Sequence, residues 1–278
     1  MGRIQEIAFL VFGQLAVGGT LLLLLPSLET VGIGFFRTNG LVFLTTVLLG
    51  IFLFPISFWW PIDFSGHSVE QFGWGGLLSI LFFLFALVLF IYNLRLWFRH
   101  PHHSRPLLWT ATGVGLLAVL SSVGYYLPSS AGSIRMISLG LYSLISSLLL
   151  GAGVLAMLLG HSYLTRPSLS IVPLRHLARI FMWLVFVEGG MALLSLLLSS
   201  EPERLWNALR LNSFEGLYLW IRLLIGIGGP MVVAPMVLQT VKERATMSAT
   251  GLLYIAMMMV IVGEIFSRFF LLVDVAFL

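Results

Sequence analysis

The chain has 278 residues, 59% of them hydrophobic and 9% charged, and a mean hydropathy of +1.04. That composition excludes a soluble domain and leaves little mass outside a membrane, so the chain reads as an integral membrane protein. It has no cysteine, which excludes a self-bound iron–sulfur cluster, a zinc–thiolate site and disulfides. The net charge of +4 sits in short loops, where Lys and Arg set topology, and does not point to nucleic acid.

With roughly 20 residues needed per span, the apolar stretches read as eight transmembrane helices over 4–26, 40–60, 74–98, 107–127, 137–160, 176–198, 216–241 and 247–272. The expected fold is an all-α bundle forming a single transmembrane domain over 1–278. The first stretch has an early Glu6 and no small-residue cleavage site, so it reads as a retained span and not a signal peptide. Arg37, Arg99, Arg105, Arg166, Arg175, Arg179, Lys242 and Arg244 fall in loops after odd spans; Arg3, Arg135, Arg204 and Arg210 fall on the other face. The positive-inside rule then puts both termini on the outer side, which is the periplasmic side of a prokaryotic inner membrane.

In chain order, span one carries Gln5, Glu6 and Gln14, with Gly13, Gly18 and Gly19 permitting close helix approach, as do Gly113 and Gly115 in span four. The connection after span five holds His161, Tyr163 and Arg166 at an interface. Span six contains Glu188 near its middle, followed by Gly189 and Gly190 and without a sequence-local partner; a proton-relay role and a neutral acid bonded to a neighbouring helix are both open. The loop over 199–215, with Pro202 and Trp206, is expected to carry an interfacial helix. Span seven is interrupted by Gly226, Gly228, Gly229, Pro230 and Pro235. Trp59, Trp60, Tyr125, Tyr126, Trp206, Tyr218 and Trp220 form an aromatic belt that a flat hydrophobic ligand entering there would meet first.

Span eight ends in Gly263-Glu264-Ile265-Phe266-Ser267-Arg268, an acid and an arginine one helical turn apart. A charge at membrane depth costs at least about 2.5 to 3.5 kcal/mol, so such groups pair, face an interior or mark a site. Counting roughly 1.5 Å per residue from the span ends puts Arg222, Glu264, Arg268 and Glu6 in the outer third of the bilayer. They either neutralise one another to pin the bundle or hold a polar headgroup at the outer interface, where a carboxylate with nearby donors can take up or release protons.

Six histidines raise a b-type haem, which needs facing axial imidazoles. Their positions argue against it: His67, His100, His102 and His103 are in loops, His176 opens span six, and His161 lacks a partner at matching depth. No metal site is expected.

Two stretches carry a family resemblance. Gln5-Glu6-Ile7-Ala8-Phe9-Leu10-Val11-Phe12-Gly13-Gln14 running into Gly18-Gly19 resembles the first helix, and Gly263-Glu264-Ile265-Phe266-Ser267-Arg268-Phe269-Phe270 the last helix, of the membrane-anchor subunits of DMSO-reductase and polysulfide-reductase type. Trp220-Ile221-Arg222-Leu223-Leu224 is similar to that family's seventh-helix arginine stretch. The resemblance implies a haem-free respiratory subunit that exchanges electrons between a membrane quinone, menaquinone or ubiquinone, and an iron–sulfur partner serving a molybdopterin-type catalytic subunit. It implies Glu264, Arg268 and Glu6 as proton-handling residues and Arg222, Gln14 and Tyr218 as headgroup contacts. This chain has Gln5 where a histidine often precedes the first-helix acid, and His67 is the candidate substitute for a His-Leu-Gly stretch it lacks. A b-type cytochrome subunit and a non-redox scaffold or transporter are the alternatives.

Overall fold

The structure, a computed structural model, describes residues 2–53, 69–98, 104–127, 132–166, 169–198 and 202–272. Among them the regular structure is helical: α1 (Gly2–Leu22), α2 (Leu28–Val31), α3 (Ile33–Leu53), α4 (Val69–Trp97), α5 (Arg105–Tyr126), α6 (Ser133–Thr165), α7 (Val172–Leu197), α8 (Pro202–Leu209), α9 (Phe214–Ile221), a π-helical stretch Arg222–Gly228, α10 (Gly229–Lys242) and α11 (Thr246–Leu272). Eight helical segments are long and apolar enough to cross a membrane: Ile4–Leu22, Ile33–Leu53, Gly73–Trp97, Arg105–Tyr126, Ser133–Leu164, Val172–Leu197, Phe214–Lys242 and Thr246–Leu272. The chain is a multi-pass membrane protein. Trp59, Trp60, His67, Arg99, His100, His102 and His103 lie outside the described residues.

The boundaries differ from the sequence reading in instructive places. The second span starts at Ile33, not at 40, because Gly32 takes φ 78° and the chain restarts immediately after it. Two polar residues inside this helix give donors to backbone carbonyls: Asn39 Nδ2 donates to the Phe35 carbonyl at 2.8 Å, and Arg37 Nε donates to the Leu96 carbonyl at 3.0 Å. The fifth helix is also longer than the reading over 137–160, because Ser133 through Thr165 stays helical. Its end turns back as the Tyr163 hydroxyl donates to the Ser170 carbonyl, which buries the tyrosine expected at an interface.

The chain forms two compact units, Met1–Gly151 and Ala152–Leu278. In hydrocarbon, helices gain little from burying apolar surface, so close contact depends on small residues. Unit 1 uses Gly18 and Gly151 in this way. A Cβ on Gly18 would lie 1.7 Å from the Ser147 carbonyl oxygen, and one on Gly151 2.2 Å from the Gly18 carbonyl carbon, so α1 and α6 meet backbone to backbone. Gly13 and Gly19 similarly admit the rings of Phe82 and Phe43, and Gly115 admits Val17 and Phe85. Gly113 faces open space and does not have the packing role expected of it.

Unit 2 is built on α7, the α9–π–α10 span and α11. The glycines and prolines of this span do not break it. Pro230 has no N–H to offer the carbonyl four residues earlier, and the helix passes this point by widening into the π stretch Arg222–Gly228. As expected, the 199–215 connection contains a helix, α8, with Ala208 buried and Trp206 exposed. The bidentate pair Arg204–Glu215, at 3.2 and 2.9 Å, and a bond from Trp220 Nε1 to the Leu209 carbonyl at 3.1 Å tie α8 to α9. Ala208, Leu219 and Phe270 form a buried apolar knot where α8 and α9 meet the end of α11.

Candidate functional site

In unit 2, the last turns of α11 project Glu264 and Arg268 from one face, as i and i+4 must. Arg268 Nη2 lies 2.9 Å from Glu264 Oε2, both side chains are 1% exposed, and Arg268 Nη1 donates to Ser267 Oγ at 3.1 Å. Arg222, at the head of the π stretch, is also buried. Glu188 of α7 completes the group: its carboxyl lies within electrostatic reach of Glu264, Arg222 and Arg268. The tetrad therefore brings two guanidinium groups and two carboxyl groups together inside unit 2.

Glycine sets this geometry. A Cβ on Gly226 would fall 2.3 Å from the Gly263 Cα, and one on Gly263 2.6 Å from the Gly226 Cα. The π stretch and α11 thus touch through bare backbone next to Glu264. Gly189, beside Glu188, leaves just enough room for Met231 and Ile227, which a Cβ would meet at 3.0 and 3.1 Å. Tyr218, expected as a headgroup contact, stacks on Phe266 at 5.3 Å between centroids and meets Phe269 edge-on at 5.1 Å. Its ring helps close the apolar end of α11.

Sequence reasoning treated Glu188 as a separate case. The signal that would have joined it is parity: spans six and eight run in the same direction. Glu188 and Glu264 lie roughly 13 and 12 Å from the C-terminal ends of their helices at 1.5 Å per residue.

Unit 1 holds Glu6 and Gln14 on α1, with Gln14 fully buried. Glu6 lies within electrostatic reach of Tyr125 and Tyr126 at the end of α5, and those two rings meet edge to face at 4.8 Å. The Tyr126 hydroxyl is buried and makes no hydrogen bond among the described residues. Near the same end of α5, Trp74 lies on Gly124, and a groove of about 340 Å³ opens between Trp74, Leu120, Val123, Met136, Ile137 and Leu141. The sequence reading assigned both tyrosines to an aromatic belt; the signal it lacked was their closeness to the first-helix acid. His67, the remaining candidate, is outside the described residues, and the His/Cys/Asp/Glu side chains described form no group able to hold a metal.

Fold and sites together define an all-α, multi-pass membrane protein with a charged tetrad buried in one unit and an acid–tyrosine cluster beside an apolar groove in the other. The chain matches no family model and has no significant match among curated proteins.

Proposed function

We propose that the chain is the membrane-anchor and quinone-reactive subunit of a prokaryotic respiratory oxidoreductase, of the DMSO-reductase and polysulfide-reductase type. It sits in the inner membrane with both termini outward and exchanges electrons with an iron–sulfur partner that serves a molybdopterin-type catalytic subunit. The observation that carries this reading is the buried Tyr126 hydroxyl, which makes no hydrogen bond among the described residues and lies within electrostatic reach of Glu6, near the end of α5 where an apolar groove opens. A buried polar group without a partner is costly in the resting protein and is relieved by a ligand that supplies the missing bond. A quinone offers a carbonyl to accept that bond, and its isoprenoid tail suits an apolar groove.

Oxidation of a quinol to the quinone releases two electrons and two protons, and the reverse reaction consumes them. Tyr126 and Tyr125 orient the headgroup oxygen, and Glu6 accepts or returns a proton there. The electrons pass to the partner's cluster, which fits a chain with no cysteine of its own. The tetrad of Glu188, Arg222, Glu264 and Arg268 gathers acids and cations in unit 2 and is a second place where protons could be exchanged.

The test is quinol-linked turnover of the purified complex. Glu6→Gln and Tyr126→Phe should each slow it by about a hundredfold, while partner-linked activity with a soluble electron donor stays intact. Unchanged quinol turnover in both variants would remove the site assignment. A haem band in the reduced-minus-oxidised spectrum of the chain would replace this reading with a b-type cytochrome, and a partner without iron–sulfur clusters would favour a scaffold or transporter.

A further inference from the structure

A second cavity of unit 1 lies at the opposite end of α1 from Glu6, roughly 25 Å along the helix at 1.5 Å per residue. It encloses about 320 Å³ between the end of α1, the turn into α2, the end of α4 and the start of α5. Leu23, Phe36, Tyr92, Leu96 and Leu108 make a buried floor. Its polar wall has an unusual composition: Glu29 and Arg105 both line the space, Ser27 and Ser104 lie between, and Glu29 and Arg105 form no ion pair with each other. The hydrogen bond Arg105 makes among the described residues is a long one, Nη2 to the Leu24 carbonyl at 3.4 Å, which leaves most of its five donors uncommitted.

A fixed cation and a fixed anion that share a cavity wall without touching are complementary to a zwitterion. We infer that this cavity binds the phosphoethanolamine headgroup of a phospholipid, with the phosphate at Arg105 and the ammonium at Glu29 and Ser27. The assignment follows from three features. Arg105 presents planar donors matched to phosphate oxygens and sits at the first turn of α5, where the helix end favours an anion. A primary ammonium has three N–H donors to give to the Glu29 carboxylate and the Ser27 hydroxyl, whereas a quaternary ammonium has none. The cavity lies at the ends of the spans Ile4–Leu22, Gly73–Trp97 and Arg105–Tyr126, the level at which headgroups lie, over a buried apolar floor. This site is independent of the quinone reading and concerns the other end of the unit.

The test is retention of lipid by the full-length protein, delipidated and reconstituted in nanodiscs of phosphatidylethanolamine, phosphatidylcholine or phosphatidylglycerol in equal amounts, and read by native mass spectrometry. Retention of phosphatidylethanolamine should exceed that of the other two by about fivefold, the effect of one near-surface charge contact. Glu29→Gln should abolish the preference over phosphatidylglycerol, and Arg105→Gln should reduce retention of all three. Both positions are on the rim and exposed, so folding is preserved in both variants. Equal retention of the three lipids by the unaltered protein, or a preference unchanged in both variants, would overturn the assignment. Displacement of the lipid by millimolar soluble phosphoethanolamine, with equal thermal stabilisation, would move it from a lipid to a soluble zwitterion.

Discussion

In unit 2, two arginines and two glutamates close on one another until none of the four is appreciably exposed, and glycine backbones press together next to them. In unit 1, Glu6 lies within electrostatic reach of a tyrosine pair, the buried Tyr126 hydroxyl makes no hydrogen bond among the described residues, and a groove opens near the same end of α5. Both are polar groups at membrane depth, yet they solve the desolvation problem differently. The first sets opposite charges against one another; the second keeps a hydroxyl uncommitted among the described residues. Self-satisfied clusters hold a fold together, and unsatisfied ones beside an opening are where ligands gain affinity.

Substitutions can break this contrast. The largest effect should come from Arg268→Ala, which strands the Glu188–Glu264 carboxyls in a sealed interior and should cost about 3 to 5 kcal/mol. Unfolding of the purified protein by mixed-micelle titration measures it, and a loss under 1 kcal/mol would mean the tetrad is open to water. Gly226→Ala should follow at about 1 to 3 kcal/mol, because the new methyl lands 2.3 Å from the Gly263 backbone; the same assay should show Gly113→Ala, in open space, to be neutral or slightly stabilising. Arg204→Ala removes a partly exposed ion pair and should cost no more than about 1 kcal/mol. Tyr126→Phe sharpens the comparison most: deleting a buried hydroxyl that makes no hydrogen bond among the described residues should leave stability unchanged or raise it, while quinol-linked turnover falls. A marked loss of stability in that variant would place the tyrosine in the structural class instead.

Much of the fold could be read from the sequence because apolar length is a direct consequence of bilayer thickness, and all eight spans follow from it. The Glu264–Arg268 contact was legible for a similar reason, since a spacing of four fixes neighbours on any helix. What escaped depends on tertiary geometry. Glu188 comes near Glu264 only because α7 and α11 both pack against the π–α10 span, and Tyr125 and Tyr126 come near Glu6 only because the end of α5 lies near the start of α1. The early start at Ile33 escaped because Arg37 was read as a loop residue, whereas it lies inside the helix with its Nε taken up by the Leu96 carbonyl. Gln14 is buried on α1 and Tyr218 stacks on Phe266, placements that residue type alone does not give.

The touching backbones of Gly226 and Gly263 also bear on how the protein is made. Only Glu243, Arg244 and Ala245 separate α10 from α11, so the two final spans form a tight hairpin as soon as both have been synthesised. Entering the bilayer singly, the first would bring in Arg222, with Glu264 of α11 still in water. Entering as a preassembled hairpin, it carries an ionic partner with it, and no lipid tail has to leave a seam too narrow to admit one. The glycine contact thus turns two costly insertion events into one affordable one, and its disruption should appear first as failed biogenesis at the translocon, before any change in the finished protein.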